Sequence, residues 1–224
     1  MSEQSKNITY LTVLRINDRS LRDREYTPDF SSGDYFHKWT TSQFGQDRVS
    51  ANILYRIDQG ETDTYLYVQS NTPLRLKNVE RAGMRLKSTM TIEYTDETIK
   101  IEEKIHNRFN DVPEVRTHEI KKDSLIKFNI LGYTAKTPSG AKNPVFIEDP
   151  HGRRDWITNR LSCLTGIKVR EDRQTTVKGA HEHKLRGAEL TGYGIVTDPK
   201  MLYQLITYGI GKGKNYGFGL LLVA

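Results

Sequence analysis

The feature that most constrains the fold of this chain is the order of predicted elements in its second half. Asp149-Pro150 and Asp198-Pro199 each supply an N-cap followed by a proline in the first helical turn. The predicted elements are a strand at 125–133, a helix from Asp149 to Gly166, strands at 167–177 and 182–196, a helix from Asp198 to Gly209 and a strand at 219–224. This βαββαβ order is that of a ferredoxin-like domain.

The first half repeats the order less completely, with a strand at 8–16, a helix at 34–44 and strands at 52–58 and 64–69. Further on, residues 79–87 are compatible with a helix, whereas 89–94 and 98–105 alternate like the strands of a hairpin. No residue-level repeat relates the two halves. We therefore predict an α+β protein of two tandem ferredoxin-like (RRM-like) domains with antiparallel sheets, at 1–118 and 119–224.

Composition narrows the class of partner. Lys and Arg number 34 against 28 Asp and Glu, and the resulting net charge of +6 favours polyanions. The single cysteine, Cys163, excludes an internal disulfide and a cysteine zinc cage, and its apolar neighbours in the predicted helix favour a place in the core. No apolar run approaches the roughly 18 residues of a membrane span, and no signal peptide is evident, so we expect a cytoplasmic protein with no membrane partner.

The segment from Gly209 to Gly219, which we call the glycine loop, combines glycines with Lys212, Lys214 and Asn215. Backbone N–H groups in such a segment can approach a phosphate unhindered by side chains, although the same composition fits a tight packing turn. The segment lacks the Gly-Lys-Ser/Thr ending of a P-loop, which argues against ATP binding.

The spacing in this region resembles a known family. Asp198-Pro199, a short helix and then Gly-Ile-Gly-x-x-Lys-x-x-Gly-x-Gly-Leu-Leu resemble the C-terminus of the CRISPR-associated repeat-processing endoribonucleases of the CasE type, in the RAMP superfamily. The strand at 125–133 with Lys136, the Trp156 helix and the basic hairpin after it also follow the family's order. His37 lies in an early helix, where the family carries its catalytic histidine.

The resemblance implies metal-independent RNA cleavage without a cofactor, in which the ribose 2′-hydroxyl attacks the adjacent phosphorus and leaves a 2′,3′-cyclic phosphate and a 5′-hydroxyl. It assigns the acid or base role to His37, and histidine suits that role because its ordinary pKa lies near neutrality. Many family members have a tyrosine three residues before the histidine, where this chain has Asp34, so the second catalytic residue stays open between Tyr26 and Tyr35. The family's usual Asn-Pro after the second domain's first strand is also missing, and residues 132–135 (Gly-Tyr-Thr-Ala) stand in its place.

The substrate implied by the resemblance is a CRISPR repeat hairpin RNA, whose product is retained and delivered to the other subunits of a multisubunit effector complex. Basic and amide side chains suited to phosphate contacts occur in the second-half hairpin, in the loops and beside His37. The candidates are Lys38, Lys136, Lys142, Arg153, Arg154, Arg170, Arg173, Lys178, Lys184, Arg186, Lys212, Lys214 and Asn215.

Two other functions fit the same residues. A non-catalytic RNA-binding subunit of a ribonucleoprotein would carry the same basic surfaces, and a protein that binds a small anionic metabolite would use the glycine loop alone. His181 and His183 would share one face of a strand, but the sequence places no third ligand beside them, so we predict no metal site.

Overall fold

A computed structural model describes residues 7–16, 33–44, 51–59, 63–75, 79, 84–106, 112–140, 142–178 and 184–224, with the backbone alone at 33–35 and 178. These residues form a six-stranded and a four-stranded antiparallel sheet, with helices packed on them, and a short two-stranded ribbon. No helix in these ranges is long and apolar enough to cross a membrane.

The first sheet has the strand order β2-β3-β1-β4-β5-β6. Its elements are β1 (Ile8–Ile16), α1 (Gly33–Ser42), β2 (Leu54–Gln59), β3 (Thr64–Ser70), β4 (Met84–Thr95), β5 (Thr98–Ile105) and β6 (Glu114–Ile120). The order of the first four strands is that of a ferredoxin-like sheet, and β5 and β6 extend it. We call these elements the first module.

Of residues 79–87, which the sequence left ambiguous, the structure describes Val79 as helical and residues 84–87 as a strand. Residues 84–87 begin β4, because Met84, Arg85 and Leu86 pair with the last residues of β1. The helical interpretation of 79–87 is therefore wrong for its second half, since pairing with a distant strand outweighs the local pattern. The hairpin predicted from 89–94 and 98–105 is confirmed by β4 and β5.

The second sheet has the strand order β10-β11-β7-β12. The elements of this second module are β7 (Leu125–Gly132), β8 (Ala135–Lys136), β9 (Val145–Phe146), α2 (Pro150–Arg160), β10 (Leu164–Lys178), β11 (Lys184–Val196), α3 (Pro199–Tyr208) and β12 (Leu221–Val223). Ignoring the β8–β9 ribbon, this is again the ferredoxin-like order, so the predicted tandem fold is confirmed.

Local chemistry sets the helix ends in the second module. Asp149 accepts a hydrogen bond from the Gly152 N–H at 2.7 Å, and Asp198 accepts one from the Met201 N–H at 2.9 Å. The helix predicted to reach Gly166 ends at Arg160 instead, because β10 begins at Leu164 and pairs with β11. Cys163 lies fully buried in the intervening turn, where burial raises the pKa of its thiol to about 11.

The central strand β1 of the first sheet is covered on both faces, whereas the edge strand β6 is exposed from Glu114 to Glu119. On β1, Leu14 and Ile16 pack into the core beneath α1, whereas Leu11 and Thr9 face the second module. The chain passes from the first sheet to the second between Ile120 and Leu125, so the predicted boundary at 118/119 falls near the end of β6.

Candidate active site

The helix that carries His37 lies beside the glycine loop. Phe36 is fully buried and anchors α1 in the core of the first module, and the adjacent His37 is half-buried. The hydroxyls of Thr40 and Thr41 donate to the His37 carbonyl at 3.2 and 2.7 Å. α1 packs against the 3₁₀ helix Lys214–Tyr216 within the loop. The fold therefore brings the helix that carries the candidate histidine against the basic loop, from distant parts of the sequence.

The glycine loop has a tightly packed conformation. All of its glycines have positive φ, from 71° at Gly209 to 89° at Gly219, a region that other residues rarely adopt. A Cβ atom on Gly219 would lie 2.6 Å from the carbonyl oxygen of Ile210. The Tyr55 hydroxyl donates to the Asn215 carbonyl at 2.7 Å and ties the loop to the first module. The glycines therefore fit the packing-turn interpretation, and Lys212 and Asn215 are the exposed side chains of the loop.

A groove of about 420 Å³ lies between the modules, with Tyr216 and Gly217 on one wall. Arg56 of β2 bridges the modules beside it, and only 1% of this residue is exposed. Its guanidinium donates to three groups, which are Asp58 at 2.5 Å, Glu189 of β11 at 2.6 Å and Asn129 of β7. A buried arginine with this set of partners fixes the relative position of β2 and the second sheet.

Glu189 is the carboxylate at the centre of this cluster. It also accepts a hydrogen bond from the Asn129 amide at 3.1 Å and pairs with Arg173. Burial alone would raise the pKa of Glu189, but the hydrogen bonds from Asn129 and from the two guanidinium groups outweigh it and lower the pKa. For Asp58 burial dominates and raises the pKa despite the adjacent Arg56.

A second pocket, of about 350 Å³, is lined by three cations from separate elements, which are Lys136 of β8, Arg160 at the end of α2 and Lys212 of the glycine loop. Tyr133 and Trp156 supply its aromatic wall, and the Arg160 guanidinium lies 5.7 Å from the Trp156 ring centre. None of the described residues that line the pocket is acidic. This pocket is therefore suited to an anionic group such as a phosphate.

The structure changes the role of one arginine predicted to bind RNA. Arg153 is only 3% exposed, because its guanidinium donates to Asp172 at 2.7 Å and to the Glu148 carbonyl at 2.6 Å. These contacts hold α2 against β10, so we no longer place Arg153 among the RNA contacts. Arg186 pairs with Glu148 and stacks 4.6 Å from the Phe146 ring centre, yet about half of its side chain is exposed.

The other predicted contacts fall into three groups. Arg173 pairs with Glu189 but leaves most of its side chain exposed, and the Lys214 ammonium donates to the Tyr208 carbonyl at 2.6 Å. Exposed positions are Lys38, Lys136, Lys142, Arg154, Arg170, Lys184, Lys212 and Asn215. Tyr26 and the side chains of Tyr35 and Lys178 lie outside the described residues, as do His181 and His183. In the part of the chain that is described, no group of three or more His, Cys, Asp or Glu residues could hold a metal ion.

Sequence reasoning missed Arg56 and Arg160. Arg56 lies within the strand-like run Asn52–Asp58, and the one signal in the sequence is a charged residue inside a predicted strand. Two of its partners lie in the other module, so the sequence does not indicate them. Arg160 shares a helix with Trp156 at a spacing of four residues, which places both side chains on one face.

The comparisons with known proteins agree with this architecture. The family described as CRISPR associated protein matches residues 9–224. A search of curated proteins found no match. Among solved structures, Thermus thermophilus Cse3 bound to an RNA representing a pre-cleavage complex is 18% identical, with a TM-score of 0.71 over 96% of this chain and 98% of that one. CRISPR endoribonuclease Cse3 bound to a 19 nt RNA is 17% identical, with a TM-score of 0.68 over 96% and 99%.

A chain of a structure described as a CRISPR RNA-guided surveillance complex is 21% identical, with a TM-score of 0.59 over 96% of this chain and 98% of that chain. These likenesses extend over nearly the whole of each chain and show a shared fold. The family match covers far more than half of the sequence and includes the segment from Asp198 to Leu221 on which the resemblance was based. This chain therefore belongs to the CRISPR-associated protein family.

Proposed function

We propose that this protein is an RNA endonuclease that binds CRISPR repeat hairpins and cleaves precursor crRNA without a metal ion or cofactor. It then retains the 3′ hairpin of the crRNA for a multisubunit effector complex in the cytoplasm. The observation that carries the proposal is the packing of α1, with His37, against the 3₁₀ helix of the glycine loop. Neighbours of the same fold described as CRISPR endoribonucleases support it.

The reaction needs a proton acceptor for the attacking 2′-hydroxyl and a proton donor for the departing 5′-oxygen. As the 2′-oxygen bonds to phosphorus, the bond from phosphorus to the 5′-oxygen breaks, and the products are a 2′,3′-cyclic phosphate and a 5′-hydroxyl. The His37 imidazole can serve one of these two proton transfers near neutral pH. Tyr26 or Tyr35 is the proposed second donor.

Positive charge close to His37 would stabilise the extra negative charge on the phosphorane. Lys214 is the proposed source of this charge, because it belongs to the element that packs against α1 and its ammonium donates to the Tyr208 carbonyl. Lys136, Arg160 and Lys212 then offer a binding site for phosphates of the adjoining stem. The exposed arginines of the β10–β11 hairpin extend the basic surface, and this extent supports retention of the product.

The decisive test is His37→Ala, assayed for cleavage of the cognate repeat hairpin in EDTA. We expect the rate to fall by about 10²- to 10⁴-fold, as for loss of a general acid or base, while the Kd for the RNA changes by less than about twofold. His118→Ala is the matched control, because His118 is an exposed histidine on β6 of the first sheet. Wild-type cleavage by His37→Ala would refute the assignment of His37.

A second measurement separates this enzyme from a non-catalytic RNA-binding subunit. A single 2′-deoxy substitution at the cut position removes the nucleophile and leaves the phosphates that the protein binds. The enzyme should bind this RNA normally and fail to cut it, and the products from unmodified RNA should carry a 2′,3′-cyclic phosphate. A protein that binds the unmodified hairpin and never cuts it would be a scaffold.

A further inference from the structure

The outer face of the second sheet, opposite α2 and α3, carries an aromatic side chain between two lysines. Tyr193 of β11 pairs with Lys127 of β7 on one side and with Lys168 of β10 on the other. Residues paired across antiparallel strands project from the same face with Cβ atoms about 5 Å apart. The two ammonium groups can therefore lie on either side of the Tyr193 ring.

This site continues into exposed apolar surface. Ile195, two residues after Tyr193, pairs with Leu125 and Thr165. Tyr193 is 39% exposed, Ile195 38% and Leu125 69%, although β11 and β7 are inner strands of the sheet. We call the six residues the outer patch, and they are Leu125, Lys127, Thr165, Lys168, Tyr193 and Ile195.

The first module covers the other end of the same face. Arg56 reaches Glu189 there, and Thr191 beside it is 5% exposed. Tyr193 lies four residues beyond Glu189 along β11, which corresponds to about 13 Å. The outer patch therefore begins about 13 Å from the contact between Arg56 and Glu189, with Thr191 and its exposed partner Glu171 between them on the same face.

The chemistry of the outer patch favours RNA over protein. None of its six residues is acidic, and its two lysines flank the aromatic ring. Lysine is depleted from protein–protein interfaces, whereas an aromatic ring with nearby cations on an antiparallel sheet suits a base and its phosphates. An unpaired base can stack on the ring, while the bases of a duplex stack on one another.

We propose that the outer patch binds single-stranded RNA that flanks the repeat hairpin, with a base stacked on Tyr193 and phosphates held by Lys127 and Lys168. The proposal rests on the proposed function for the identity of the RNA. In this arrangement the outer patch binds the unpaired flank of the RNA. The stem of the RNA binds the pocket of Lys136, Arg160 and Lys212 and the β10–β11 hairpin of the protein.

The test compares two RNAs with the full-length protein, both carrying the 2′-deoxy substitution at the cut position. One is the hairpin alone, and the other carries short single-stranded uridine tracts on both sides. We expect the tracts to tighten binding by about 5- to 150-fold, as stacking of one base would. Tyr193→Ala should remove most of this gain and leave the Kd of the bare hairpin within about twofold, whereas Tyr193→Phe should keep it.

Two further measurements locate the contact. A 2-aminopurine in the flank should be quenched by the wild type and less by Tyr193→Ala, and Lys127→Ala with Lys168→Ala should reduce the salt dependence of flank binding. Val115→Ala, at an exposed apolar position on β6, is the control and should change neither quantity. A flank that adds no affinity, or a Tyr193→Ala that weakens both RNAs equally, would overturn the proposal.

Loss of assembly with effector subunits in Tyr193→Ala, with flank binding unchanged, would assign the outer patch to a protein partner and would also overturn the proposal. The flank test measures only the binding of an RNA that cannot be cut. If the protein never cleaved the unmodified hairpin, that result would contradict the proposed nuclease activity and would not affect the proposal for the outer patch. Normal cleavage with no contribution from the flank would count against the outer patch alone.

Discussion

Strands β1 and β11 each lie inside an antiparallel sheet of ferredoxin-like order, and their side chains alternate between two faces. On β1 both sets are buried, with Leu14 beneath α1 and Thr9 against α3 of the second module. On β11 one set is buried, as at Leu190, whereas Tyr193 and Ile195 stay exposed. The same topology therefore gives an inner strand covered on both faces in one module and an inner strand open on part of one face in the other.

The difference shows that strand order alone does not determine which surface is available to a ligand. The first module uses its second face to hold α3, through hydrogen bonds from Asn52 at 2.8 Å and Gln69 at 2.6 Å to backbone carbonyls of that helix. In the second module the first module covers one end of the outer face, where Arg56 contacts Glu189 and Asn129. The inter-module contacts can therefore be tested separately from the surfaces proposed to bind RNA.

Among the variants that test this comparison, Arg56→Ala should lower the free energy of unfolding most, because it removes the contact between the first module and the outer face of the second sheet. We expect a loss of about 3–5 kcal/mol in the free energy of unfolding, because Glu189 and Asn129 lose a buried partner. Chemical denaturation of wild type and variant measures this difference in the free energy of unfolding. The matched control is Arg173→Ala, since Arg173 pairs with the same carboxylate from a side chain that is 76% exposed, and it should cost about 0–1 kcal/mol. Equal losses for the two variants would contradict a structural bridge by Arg56.

A smaller effect is expected from Gln69→Met, which keeps the side-chain volume and removes the amide on the covered face of the first sheet. Gln69 is 1% exposed and donates to the carbonyls of Ile206 and Thr207 near the end of α3. Leaving these buried carbonyls with fewer donors should cost about 1–3 kcal/mol in the free energy of unfolding. An unchanged denaturation midpoint would mean that packing alone holds α3 on the sheet.

The sequence predicts well what is set by neighbouring residues. The starts of α2 and α3 follow from the Asp149 and Asp198 caps, and Gly209 ends α3 as expected from its place after the last apolar residue. The structural role of Arg153, a buried ion pair instead of an RNA contact, could not be predicted, because its partner Asp172 lies in the strand that follows the helix. Arg56 is a stronger case, since its partners Asn129 and Glu189 lie in the other module.

The same reasoning applies to the candidate site. The family resemblance identified His37 by its place in an early helix and the glycine loop by its spacing, but only the fold brings that helix and the loop together, because they lie in different modules. No motif or spacing in the sequence indicates the outer patch. Tyr193, Lys127 and Lys168 stand on three strands, and only the register of those strands makes them neighbours.

The smallest effect should come from Thr9→Val, an isosteric change at the hydroxyl that β1 presents to α3. The Thr9 hydroxyl is fully buried and lies 2.9 Å from the Thr207 hydroxyl and 3.2 Å from the Tyr203 hydroxyl. Because a neutral hydrogen bond contributes only about 0.5–1.5 kcal/mol net, we expect a loss of this size in the free energy of unfolding, measured by thermal and chemical denaturation. Thr117→Val on exposed β6 is the control and should stay within about 0.5 kcal/mol of wild type. If Thr9→Val had no larger effect than this control, the covered face of the first sheet would depend on packing and on Gln69, and the contrast with the open face of β11 would be one of shape alone.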